Sequence, residues 1–117
     1  MTADTIHWPA IVHYDNDAEL AYVASLQQWL DDAELSGFDY QAEDELIDSH
    51  GNVFLLQYKS DTLVRPVASG RSKTLQQVLG LVKAHLSEQG SCCVAKLSAY
   101  SIAEAIALLN SPANCSL

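Results

Sequence analysis

Hydrophobic and polar positions change period several times along this chain, and each change marks an element. Ile6, Trp8, Ala10, Val12 and Tyr14 alternate with His7, Pro9, Ile11 and His13, the period of a strand over residues 6–14. Pro9 has no N–H to give to a ladder, which places it at an edge or at the start of regular pairing. Asp15-Asn16-Asp17 is turn chemistry, and the chain from Leu20 to Ala24 is again extended, so the first two strands form a hairpin. Ser25 with Gln28 three residues later is a capping box. Leu26, Trp29, Leu30 and Ala33 then recur at helical spacing up to Gly37, which predicts a short helix over 26–35.

From residue 38 to residue 45 the chain is acidic and aperiodic, the pattern of an exposed loop. Leu46-Ile47 and the run from Val53 to Tyr58 flank Asp48-Ser49-His50-Gly51-Asn52, a turn cluster whose glycine accepts positive φ and whose flanks make a second hairpin. Residues 63–68 alternate as one more strand, with Pro66 again arguing for an edge and Gly70 for its end. Leu75, Val78, Leu79, Val82 and Leu86 form the longest apolar stripe in the chain. It belongs to a helix opened by the capping box Thr74 and Gln77 and stopped by Gly90, and it nucleates the core. Cys92 to Leu97 reads as a short buried strand. Ser101 with Glu104 caps a last helix, whose stripe is Ile102, Ala105, Ile106 and Leu109, before Asn110 and Pro112.

The order of elements predicts an α+β fold: one domain over residues 1–117, two layers, with a mostly antiparallel sheet built from hairpins and about three helices. A β-grasp-like second half is one such topology, and residues 112–117 are expected to fray.

Composition narrows the class further. Hydrophobic residues are 49% and charged residues 18% of the chain, a globular balance that needs neither metal nor disulfide to fold. There is no apolar run of signal-peptide or membrane-spanning length, and three cysteines, two of them adjacent, are a poor disulfide framework. The expectation is a cytoplasmic protein with free thiols and no membrane contact. Net charge is −9 and unevenly spread. Residues 1–58 hold twelve Asp and Glu and no Lys or Arg, whereas residues 59–117 hold three acids and six bases. Such a surface repels phosphates, so nucleic acid is not an expected partner.

Three segments, Trp8-Pro9-Ala10, Leu46-Ile47-Asp48-Ser49 with Gly51, and Cys92-Cys93-Val94-Ala95-Lys96, resemble a family of short acidic proteins from marine gamma-proteobacteria that carries only a domain-of-unknown-function label. The resemblance spans nearly the whole chain. It implies a bacterial cytoplasmic single domain and brings no activity, cofactor or partner.

Several constellations invite chemistry. Arg71, Ser72, Lys73 and Thr74 stand at the head of the main helix, where amides favour anions and disfavour cations. Either a bound phosphate or a carboxylate from the acidic half would compensate the two cations. His85, Cys92 and Cys93 are zinc-type ligands in no standard spacing, and neighbouring strand cysteines point apart. Asp15-Asn16-Asp17-Ala18-Glu19 opens like a calcium loop but has Leu20 and Leu26 at the sixth and twelfth positions. Asp48, Ser49 and His50 are triad residue types crowded onto one turn, where triad geometry cannot form.

Carboxylates cluster at Asp31, Asp32, Glu34, Asp39, Glu43, Asp44 and Glu45. The reading adopted from the sequence is a monomeric, non-catalytic accessory module without metal or cofactor, using these seven acids toward a basic protein partner. The alternative is a small-molecule or phosphate-type anion binder, with an enzyme as one form of it, at Arg71, Ser72, Lys73 and Thr74.

Overall fold

The computed structural model describes residues 5–60, 62–90 and 97–110. Its centre is an antiparallel sheet of five strands, β1 (Ala10–His13), β2 (Leu20–Val23), β3 (Glu45–Ile47), β4 (Asn52–Leu55) and β7 (Val67–Ser72), in the order β2-β1-β3-β4-β7. A hairpin of β5 (Lys59–Ser60) and β6 (Leu63–Val64) forms a second, small sheet. The helices are α1 (Leu26–Asp31), α2 (Ala33–Ser36), α3 (Leu75–Glu88) and α4 (Ile102–Ala107), the last followed by a 3-10 turn over Leu108–Asn110. The fold is thus α+β with an antiparallel sheet, as the alternating and helical patterns predict. Most of the expected strand at 92–97, on which a β-grasp-like pairing would turn, and the expected tail at 112–117 lie outside the described residues.

Successive strand residues point to opposite faces, and both faces are buried. Ile11, Leu20, Ile47 and Val53 meet Val78, Leu79 and Val82 of α3 and Ala105 and Ile106 of α4. The stripe of the longest helix therefore covers one face, as its period requires. On the other face Ala10, Val12, Val23, Leu46 and Phe54 pack with Trp29, Leu35, Tyr40, Leu56 and Val64. The expected two layers become a sheet covered on both sides, because α1, α2 and β6 close the second face. The sign lay in Ala10-Ile11-Val12, buried in succession, as strands covered on both sides are. Trp29 fastens this cover: its Nε1–H donates to the Val64 carbonyl at 3.2 Å.

Three element boundaries differ from the sequence pattern, each for a local reason. The helix expected over 26–35 breaks at Asp32, which is extended at φ −103°, ψ 107°. Its N–H donates to the Gln28 carbonyl, ending α1, while its side chain accepts from the Glu34 N–H, opening α2. The strand expected over 63–68 divides around Arg65 and Pro66 between two sheets. Gly70 does not end β7 but sits inside it at φ 81°, where the register slips: Phe54 faces Ala68, yet Asn52 faces Ser72. Glycine makes that bulge accessible.

Pro9 precedes β1, an interior strand, so it marks the start of regular pairing rather than an edge. The edge strand β2 is guarded by side chains instead. The Leu20 N–H donates to His85 Nδ1 at 3.0 Å. Gln28 accepts from the Ala24 N–H at 2.8 Å and donates to the Tyr22 carbonyl at 3.4 Å, so one amide side chain satisfies both kinds of backbone group that a neighbouring strand would.

The turn between β3 and β4 is the junction of the molecule. Asp48, 0% exposed, accepts from the N–H groups of His50 and Asn52, both at 2.9 Å, and from that of His7 at 3.0 Å. Ser49 adds two bonds to the same incoming segment, from its N–H to the His7 carbonyl at 2.8 Å and from its hydroxyl to the Pro9 carbonyl at 2.6 Å. The His7 and His50 rings stack above, with centroids 3.7 Å apart. Gly51 has φ 84°, and a Cβ there would lie 2.5 Å from the Lys73 carbonyl oxygen. Asp48→Ala leaves three backbone donors and the Asn52 side-chain amide without their acceptor, so a loss of about 3 kcal/mol or more is expected. Asp48→Asn should fall between it and the parent, because its amide NH2 faces donors. Urea unfolding with an unchanged slope is the check; a loss below about 1 kcal/mol would show that water replaces the carboxylate.

Candidate functional site

A concavity lies beside β2, between the β1–β2 turn and α2. The turn closes with the Asp17 N–H donating to the Tyr14 carbonyl at 3.2 Å and with Asn16 at φ 58°. Asp17 Oδ1 accepts from the Glu19 N–H at 3.0 Å, which fixes where the two acids stand. Opposite them, the cap at Asp32 sets the direction of α2 and carries Glu34 in its first turn. Leu35 turns inward, and Tyr40 donates its hydroxyl to the Leu35 carbonyl at 2.8 Å. Phe38 packs edge-on against Tyr40 at 4.8 Å and Tyr14 at 5.9 Å.

The result is an open groove of about 680 Å³. Its acids are Asp17, Glu19, Asp32 and Glu34, its aromatic walls Tyr14, Tyr22 and Phe38, and no Lys or Arg is among the described residues that line it. Phe38 remains 44% exposed. The ion pairs on Asp39 and Glu45 lie elsewhere. The Tyr14 hydroxyl registers the field: burial, then the charges of Glu19, Asp44, Asp17 and Asp32, raise its pKa above the ordinary tyrosine value.

The seven acids singled out from the sequence do not share one surface. Asp32 and Glu34 line the groove. Asp31, bonded by Gln27 Nε2 at 2.9 Å, faces a neighbouring depression beside Leu30 and Lys59. Asp39 is exposed and paired with Lys59, whose hydrogen bond and charge hold its carboxyl below the usual range. Glu43 is exposed. Asp44 and Glu45 belong to the interior instead. Asp44 accepts from the N–H groups of Asp15 and Gln41, each at 2.7 Å. Glu45 meets Arg71 at 3.4 Å and Lys73 at 3.8 Å. Sequence reading missed Asp17, Glu19 and the aromatic walls, because a solvated turn and a groove rim have the same composition.

Glu45 also answers the question of what compensates Arg71 and Lys73: it is a carboxylate of the acidic half. Around them, Thr74 and Gln77 bond each other's backbone N–H in a complete capping box, and the Lys73 N–H donates to the Gly51 carbonyl at 2.8 Å. Ser72 is exposed at the end of β7. Arg71, Lys73 and Thr74 thus have partners within the fold at the β7–α3 junction, and Arg71 and Ser72 also line a depression beside β4. His85 is engaged with Leu20, and Cys92 and Cys93 lie outside the described residues. Among the described residues no group of His, Cys, Asp and Glu is arranged to hold a metal ion, and no helix is long and apolar enough to cross a membrane.

Fold and site together describe an α+β protein with a helix-covered antiparallel sheet and an acid-rimmed aromatic groove beside its guarded edge. By sequence, the chain belongs to the DUF4144 family, described as a protein structure with unknown function, which it matches over residues 8–109. It is similar to the NMR structure of a protein from Shewanella amazonensis, with a TM-score of 0.66, 26% identity, and 95% of this chain and 93% of that one covered. No curated protein matches it. Of the three segments on which the family resemblance rests, Trp8-Pro9-Ala10 and Leu46-Ile47-Asp48-Ser49 with Gly51 meet at the β3–β4 turn, and Cys92-Cys93-Val94-Ala95-Lys96 lies outside the described residues.

The tyrosines predict a pH dependence. Burial, then the charges of Tyr14, Asp44 and Asp32, raises Tyr40 as well. A raised pKa in the folded chain means that unfolded tyrosine ionises first, so stability is unaffected below about pH 9 and falls as pH rises past about 10. Thermal melts between pH 8 and pH 11 should show this fall reduced in Tyr40→Phe and Tyr14→Phe. An equal alkaline loss in parent and variants would assign it to other groups.

Proposed function

We propose that this chain is a non-catalytic cytoplasmic accessory module, monomeric on its own, that binds a basic protein through its acidic surface. The observation that carries this reading is the groove in which Asp32 and Glu34 join Asp17 and Glu19. Four carboxylates around one depression make a field that draws cations and repels anions. The working acids are Asp31, Asp32, Glu34 and Glu43 with Asp17 and Glu19, while Asp44 and Glu45 serve the fold. The occupied edge of β2 supports the monomer, since strand pairing there would displace Gln28 and His85. Three cysteines, two of them adjacent, are a poor disulfide framework, which supports the reducing compartment.

The test compares the parent with a variant carrying Asp31→Asn, Asp32→Asn, Glu34→Gln and Glu43→Gln as baits in lysate. Asn at position 32 keeps an N-cap oxygen, so the variant should melt with the parent. The expected result is one basic protein retained by the parent and released by salt. Once purified it should bind the parent alone at least about tenfold more tightly than the variant. Equal binding to the two baits would overturn the reading.

A further inference from the structure

The groove holds more than charge. A purely electrostatic docking face needs carboxylates only, yet here they rim a depression walled by Tyr14, Tyr22 and Phe38. Phe38 keeps 44% of its surface exposed, although the adjoining aromatic Tyr40 is buried. Its ring packs edge-on against Tyr14 at an interplanar angle of 72°, and both residues line the groove. Aromatic faces attract cations, and a guanidinium is favoured over an ammonium because its plane also stacks while its N–H fork reaches carboxylates. Gln28 already occupies the Tyr22 carbonyl and the Ala24 N–H, which disfavours backbone pairing there and favours recognition of a ligand through its side chains.

We propose that the groove is an arginine-recognition site. An arginine side chain of the basic partner lies against Phe38 and Tyr14 with its guanidinium directed to the carboxylates of Glu19, Asp32 and Glu34. The inference rests on the acidic-surface reading and adds to it a side-chain preference that charge alone does not give.

Two peptides of equal length and charge, Gly-Arg and Gly-Lys repeats, test this by 1H–15N titration of the labelled full chain. The expected result is binding of the Arg peptide about fivefold tighter than the Lys peptide, with the largest shifts at Tyr14, Ala21, Tyr22 and Phe38. Phe38→Leu keeps an apolar contact with Tyr40 and should abolish the Arg-over-Lys preference while charge-driven binding persists; its spectrum reports folding directly. Glu34→Gln should weaken both peptides. Equal affinity for the two peptides in the parent, or shifts confined to residues outside the groove, would overturn the arginine site and leave the acidic-surface reading standing. Binding by neither peptide would overturn the site too, and the lysate comparison would then judge the broader reading by itself.

Discussion

A single buried carboxylate joins the incoming segment to the β3–β4 turn. Asp48 gathers backbone donors from the incoming segment and from both sides of its own turn, and a buried charge is tolerable only when it is bonded in this way. Its effect reaches past the turn. With His7 and Pro9 held, β1 enters the sheet in register and can pair on both sides. With Gly51 held, the chain from β7 approaches closely enough for Lys73 to bond the Gly51 carbonyl, which aims α3 across the sheet. The start of β1 and the start of α3 are thus tied to the same turn.

The electrical asymmetry of the chain is resolved partly inside the fold and partly on its surface. Asp44, Glu45 and Asp48 are drawn inward, where backbone amides or Arg71 and Lys73 compensate them. On the surface, Asp39 pairs with Lys59, an exposed pair worth little, while, among the described residues, the Asp17 and Asp32 carboxylates accept only from backbone N–H groups two residues on. Charge that the fold consumes and charge that it displays therefore come from one continuous acidic run, separated only by strand pairing and by the direction of the chain entering β3.

Periodicity made the main elements legible because their buried stripes obey it: the helix from Leu75, the hairpins on either side of Asp15-Asn16-Asp17 and of Gly51, and the capping boxes at Thr74 and Ser101. What stayed hidden depends on partners distant in sequence. Glu45 and Glu43 look alike until β3 pairs with β4 and brings Arg71 within reach of one of them. Gly70 reads as a stop because glycine ends elements and opens bulges by the same freedom. For the site, Asp32 and Glu34 were visible as acids, but their grouping with Asp17, Glu19 and Tyr14 requires the β1–β2 hairpin to fold against α2. No local pattern encodes that meeting.

Gln28 has a consequence beyond its two bonds. An antiparallel sheet ends wherever the chain runs out of strands, and the last strand then offers a template to any other chain with an open backbone. Here one amide imitates the missing peptide group, and an imidazole from α3 completes the imitation. This one edge is thereby capped chemically at three backbone groups, without the geometric closure of a barrel. Resistance of this edge to templated growth is entrusted to two side chains, so it can be lost by substitution while every strand and both cores stay in place.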